Sequence, residues 1–198
     1  MKKTFVLGQL VLGLAIILSS CGKLPQADID AANVAVDSAK IAGAEVYIAD
    51  EFMAITDSLK SAMEKIEAQK SKSMFRNYGE ASKQLQDVKT LAEQAKENAI
   101  IKKNQVKEEV QNILNEMSTL VTENKELIAK APKGKEGKAA LDEMKNELAV
   151  IETTITETVT LFENGDYMTA MEKITAAKEK ALSINNELKE AIAKYKKR

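Results

Sequence analysis

Two hydrophobic patterns divide the chain. Lys2 and Lys3 precede an apolar run, residues 5–18, which carries no charge and is interrupted only by Gly8, Gln9 and Gly13. The run falls short of the roughly 20 apolar residues that span a bilayer as a helix, and its charged-then-apolar order is that of a secretory signal. Residues 1–20 are therefore predicted to be removed on export. From about residue 27 onwards the apolar residues recur every three or four positions, the spacing that lines one face of a helix.

Read along the chain, this second pattern predicts five helices. Ile29, Ala32, Val36 and Ala39 make the stripe of a first helix over residues 27–42. Residues 43–49 read as a connection, with Asp50 placed to cap a second helix whose stripe is Phe52, Ile55, Leu59, Ala62 and Ile66. A polar stretch, residues 69–73, closes it, and Asn77 and Gly79 mark the turn into the third. There Tyr78, Leu85, Ala92, Ala99, Val106, Ile113, Leu120 and Leu127 stand at seven-residue intervals as far as Pro132 and Gly134. Companion apolar positions change midway, from three residues on (Val88, Ala95) to four (Val110, Met117), around the polar stretch 102–105. That change predicts either one continuous helix serving two bundles or a kink. A fourth helix carries Leu141, Met144, Leu148, Ile151, Ile155 and Phe162 and stops at Asn164-Gly165; the fifth alternates Tyr167, Ile174, Ala181, Leu188 and Tyr195 with Ala170, Ala177, Ile184 and Ala191.

The stripe 52, 55, 59, 62, 66 becomes 141, 144, 148, 151, 155 on adding 89, and the same shift carries Tyr78, Ala81, Leu85 and Ala92 onto Tyr167, Ala170, Ile174 and Ala181. Since 89 is not a multiple of seven and the register survives a turn, an internal duplication is expected. The predicted fold is all-α: long antiparallel helices in two tandem three-helix units, residues 28–100 and 101–198, sharing the long third helix in a spectrin-like way. One compact helical bundle is the alternative.

Composition supports long packed helices, being rich in Ala, Lys, Glu, Leu and Ile with only Pro25 and Pro132 as prolines. It also limits the chemistry. The chain has no histidine, no tryptophan and one cysteine, Cys21. That excludes an internal disulfide, Ser-His-Asp and Cys-His catalysis, His-ligated zinc and the Glu-x-x-His pairs of di-iron bundles. Gly134-Lys135-Glu136-Gly137-Lys138 lacks the spacing of a phosphate-binding loop. With 29 basic and 30 acidic side chains interspersed, the net charge is −1, which gives no basic excess for nucleic acid. No cofactor, metal or catalytic residue is predicted, and the chain is expected not to be an enzyme.

Leu18-Ser19-Ser20-Cys21 resembles the bacterial lipobox, an aliphatic residue and two small ones before a cysteine. The resemblance implies cleavage between Ser20 and Cys21, lipidation of Cys21, and residues 21–27 left as a lipidated tether. Several acyl chains, each contributing about 0.8 kcal/mol per buried CH₂, hold a protein stably to a membrane where one chain binds reversibly. Gly22 stands where enteric-type bacteria use Asp for inner-membrane retention, which favours the outer membrane. Beyond it, Ala42-Gly43-Ala44-Glu45-Val46-Tyr47-Ile48-Ala49-Asp50-Glu51 resembles a motif of alanine-rich helical envelope lipoproteins, with Asp50 where that family usually has proline. That family has no established catalytic residues to carry over. Gly165-Asp166-Tyr167-Met168-Thr169-Ala170 is similar to the turns of tetratricopeptide helices. The terminal Ala193-Lys194-Tyr195-Lys196-Lys197-Arg198 resembles the basic tail by which murein lipoproteins reach peptidoglycan, although there the last residue is lysine; cations are favourable at any helix C-terminus. Together these features predict a lipid-anchored envelope protein with a structural or interaction role, its partners being the membrane and another envelope protein or peptidoglycan. A carrier holding a lipid or other apolar ligand among small residues such as Ala92, Ala95 and Ala99 is the alternative.

Overall fold

The computed structural model describes residues 22–132 and 135–196. Ser20 and Cys21, with the whole signal segment, lie outside those residues, as do Gly134, Lys197 and Arg198. The described chain is all-α, with six helices and no strand: α1 (Gln26–Ile41), α2 (Ala44–Tyr47), α3 (Ala49–Lys70), α4 (Gly79–Lys130), α5 (Lys135–Glu163) and α6 (Tyr167–Lys196). It divides into two compact units at Ile101/Lys102, and α4 runs through that boundary as one 52-residue helix. Residues 100–105 of α4 are all exposed, so the apolar stripe lapses where the units meet in sequence.

In the first unit α4 runs antiparallel to α3 and parallel to α1. The Gln84 amide donates to the Ser58 carbonyl at 2.9 Å and Asn98 to Glu51 at 3.1 Å, while Asp28 on α1 accepts from Ser82 and Gln86. Alanines dominate the core: Ala32, Ala39, Ala44, Ala62, Ala92, Ala95 and Ala99 have no exposed surface and pack with Ile55, Ile66, Leu85 and Val88. Residues 43–49, expected to be a plain connection, hold the extra turn α2. Gly43 turns the chain at φ 95°, and its carbonyl accepts from the Val46 and Tyr47 N–H groups. Asp50 does not cap α3. The N-cap is Ile48, without a side-chain bond, and Asp50 sits inside the first turn, where its charge suits the helix dipole.

In the second unit, α4 is antiparallel to α5 (Lys125–Glu152) and parallel to α6 (Lys178–Glu116, Lys189–Glu123). The expected heptad line fails at its far end. Leu120 and Leu127 are only half-buried, and Met117, Val121, Asn124, Ile128 and Ala131 form the buried face. An α-helix of 3.6 residues per turn drifts by about 20° per seven residues, so a strict seven-residue line slides off the core over several heptads. Tyr195, expected on the α6 stripe, is exposed, and so is Ala191. Asn185 lies level with Asn124, so ten residues on Tyr195 has passed the end of α4 at Lys130.

Burial follows the 89-residue register from α4 to α6 but not along α3 and α5, where Ile55 and Ile66 are buried and Met144 and Ile155 only half-buried. Ala81, Leu85, Val88, Ala92, Ala95 and Ala99 are buried, and so are Ala170, Ile174, Ala177, Ala181, Ile184 and Leu188. The register also reaches a pair of segments the stripes did not link: Ala32, Ala35 and Ala39 of α1 correspond to the buried Val121, Asn124 and Ile128 of α4. The α5–α6 corner closes as a Schellman turn. Gly165, at φ 81°, donates to Phe162 and Asp166 donates to Leu161, after which the Asp166 carboxylate accepts from the Thr169 N–H of α6.

Candidate functional site

The described chain begins one residue after Cys21, and its first part belongs to a definite end of the first unit. Gly22, Lys23 and Leu24 are exposed and non-helical, and Pro25 opens α1, its carbonyl accepting from Ile29 at 3.1 Å. The same end carries the α3–α4 corner, residues 71–78. Its backbone is tied down: the Asn77 N–H donates to Gln69 Oε1 (3.1 Å), the Gly79 N–H to Asn77 Oδ1 (2.9 Å), and Arg76 Nε to the Lys72 carbonyl (2.9 Å). Yet Met74 and Phe75 stand 68% and 91% exposed, and Phe75 adopts a left-handed φ of 56°. From the sequence, only a polar close at residues 69–73 and a turn at Asn77 and Gly79 are expected here. The signal passed over was an apolar pair between cations, Lys72-Ser73-Met74-Phe75-Arg76, lying off every helical stripe.

A second feature missed by pattern reading is polar and buried. Asn124 donates to the Ala181 carbonyl at 2.8 Å and accepts from Asn185 at 2.7 Å. Asn185 also bonds Glu123, and Glu123 pairs with Lys189 at 2.9 Å. The chain of contacts thus runs from the core to the surface, and its Lys189 end, helped by Asn185, holds the Glu123 carboxyl below its ordinary value. Lys65 does the same to Glu80, and Lys145 to Asp142. Thr158, also buried, donates to the Thr154 carbonyl of its own helix.

Surface clefts are shallow. One of about 340 Å³ between α4 and α5 is lined by Ile128, Leu141 and three lysines; another of about 340 Å³ between α5 and α6 is lined by Val150, Ile151, Ala176 and Ala177. Ala92, Ala95 and Ala99 line neither, being packed inside the first unit's core. The tetratricopeptide-like corner serves packing: the Phe162 and Tyr167 rings meet at 5.2 Å, Ala170 is fully buried, and the Lys107 ammonium lies over Tyr167 at 5.8 Å. On the basic tail, Lys194 pairs with Glu190 at 3.3 Å.

Among the described residues no group of three or more His, Cys, Asp or Glu side chains is placed to hold a metal ion. Among them, too, no helix is long and apolar enough to cross a membrane. Against known proteins, no family profile, no curated protein and no solved structure matches this chain.

Proposed function

We propose that the protein is a lipid-anchored component of the bacterial cell envelope, held through Cys21 and presenting helical surfaces to another envelope protein or to peptidoglycan. The observation that carries this reading is Leu18-Ser19-Ser20-Cys21 directly after a charged-then-apolar signal segment. The described start of the chain is consistent with a tether: three exposed residues, then Pro25 and α1. Outward-facing surfaces rich in Lys–Glu pairs, such as Lys65–Glu80, Lys125–Glu152 and Lys173–Glu157, suit a hydrated compartment. A non-enzymatic role fits a chain whose apolar helix faces are taken up by packing within each unit. The full burial of Ala92, Ala95 and Ala99 fits closely approaching backbones better than a carrier's cavity.

Growth of a bacterium expressing the full chain on an alkyne-tagged fatty acid tests the anchor. The wild-type protein should take up the label and sediment with membranes, and Cys21→Ser should lose both while its helical circular dichroism is unchanged. Unlabelled wild-type protein, or membrane attachment retained by Cys21→Ser, would sink the reading. Proximity crosslinking in the same cells identifies the partner.

A further inference from the structure

We propose that the α3–α4 corner, residues 71–78, is a second membrane contact, in which Met74 and Phe75 enter the lipid interface beside the anchored amino end. This rests on the reading of Cys21 as the lipidated residue, and it names the face that the anchor turns towards the bilayer.

Placement comes first. Asp28 accepts hydrogen bonds from Ser82 and Gln86, so α1 and α4 start side by side, and Leu24 and Tyr78 each lie four residues before that contact. The Lys65–Glu80 pair brings the last turns of α3 to the same end. Leu24 lies three residue steps from Cys21, a reach of at most about 10 Å. A lipid on Cys21 therefore holds this end of the first unit, corner included, against the surface that receives the lipid.

The form of the corner agrees. Turning α3 into α4 does not require an exposed ring: the corresponding α5–α6 turn uses only residues 164–166, places glycine at its left-handed position and keeps Phe162 and Tyr167 in contact with each other. Here the chain takes the longer route and sets a bulky aromatic at φ 56°, a conformation such residues rarely adopt. The outcome is an outward-facing apolar pair held by three side-chain hydrogen bonds. Charge is complementary to a phospholipid surface. Residues 71–78 contain no carboxylate, and Lys23, Lys72 and Arg76 have no carboxylate partner among the described residues. An apolar tip flanked by cations is the arrangement that settles among lipid headgroups.

The chain has no tryptophan, so Phe75→Trp is a clean reporter. The full chain bearing it, produced with its own signal segment, is extracted in detergent and reconstituted into vesicles of phosphatidylethanolamine and phosphatidylglycerol, with plain or brominated acyl chains. Flotation reads the anchor, and indole emission reads the corner. Ile41→Trp is the control: it is exposed and stands about 22 Å along α1 from Gln26, at the opposite end of the same unit. We expect flotation of both variants, with a shift to shorter wavelength and loss of most emission in brominated vesicles for Phe75→Trp alone. Flotation with Phe75→Trp emission unaltered by bromine overturns the corner contact and leaves the anchor standing. A wavelength shift seen only in native membranes and insensitive to brominated lipid means that a protein covers the corner, which also overturns it. Absence of flotation sinks the anchor reading, and this proposal with it.

Discussion

Replacing Asn124 by leucine isolates the buried polar pair of the second unit. Leucine has a similar volume, so packing changes little, but Asn185 loses the acceptor for one amide N–H and the Ala181 carbonyl loses its side-chain donor. Asn124 has no exposed surface and Asn185 is 3% exposed, so water does not replace those bonds without opening the core. A stranded buried donor costs about 1–3 kcal/mol. Removing both partners as Asn124→Leu/Asn185→Leu strands neither amide, and the double variant should lie close to wild type or above it. The two positions are thus coupled by about 1–3 kcal/mol, far beyond the scatter expected of independent sites. For a unit of residues 102–198, each kcal/mol corresponds to about 4–8 °C in melting temperature. Thermal melts of the four proteins in the cycle measure this. Hydrogen exchange resolved by mass spectrometry should place lost protection of the single variant in residues 102–130 and 167–196. A single variant as stable as wild type, or a double variant that loses the sum of two single losses, would refute the assignment.

Gly43→Ala should lower the melting temperature, because φ 95° costs an L-residue about 1–2 kcal/mol and the new Cβ would meet Tyr47 Cδ2 at 2.9 Å; an unchanged melt would mean that the α1–α2 turn relaxes freely. Leu85→Ala, at a fully buried core position, should cost about 2–5 kcal/mol in denaturant titration, whereas Val150→Ala on the exposed face of α5 should stay within about 0.5 kcal/mol. Acid should destabilise both units. Lysine partners hold Glu80 and Glu123 below the ordinary 4.5 and Asp142 below 3.8, so their contribution is present above those values and fades as pH falls through the lowered ones. These groups are solvent-exposed, and the effect is correspondingly small; Lys189→Gln should flatten the acid slope of the second unit, read as melting temperature against pH.

What the sequence disclosed depended on how far each feature is local. Helix ends were legible wherever a breaker acts by itself, as Gly165 does in ending α5 and Asn77 in opening α4 with its side chain on the Gly79 N–H. The turn α2 was hidden because Ala44-Glu45-Val46-Tyr47 has no period of its own; it forms where Gly43 reverses the chain and Ala44 is buried against the first unit. Leu120 and Leu127 misled for the opposite reason, since they obey a pattern that the helix cannot keep in phase over that length. Asn124 is a polar letter on an apolar face, and its role depends on Asn185, 61 residues away. Met74 and Phe75 went unread because periodicity finds side chains that face a core, and these face away from one.

The two units fill the 89-residue register with different side chains. At three buried positions related by 89 residues, Ala35, Ala92 and Ala95 of the first unit answer to Asn124, Ala181 and Ile184 of the second. Alanine faces let helices approach closely and admit few wrong alignments, because a longer side chain slid into the seam collides with backbone. The second unit packs Met117, Ile128, Leu148, Ile174, Ile184 and Leu188, which are longer and more adaptable, and slipped registers of such a face differ less in energy. A buried amide pair penalises those slips, since any shift of α6 along α4 parts Asn185 from Asn124 and leaves both unsatisfied. Size therefore selects the register in one unit and hydrogen bonding in the other. On this view Ala92→Leu should disrupt the first unit by about 1–3 kcal/mol through overpacking. The double asparagine variant should stay stable yet lose uniqueness, seen as broadened amide signals from α6 at unchanged helicity. Sharp, single signals from that variant would show that the apolar face sets its register unaided.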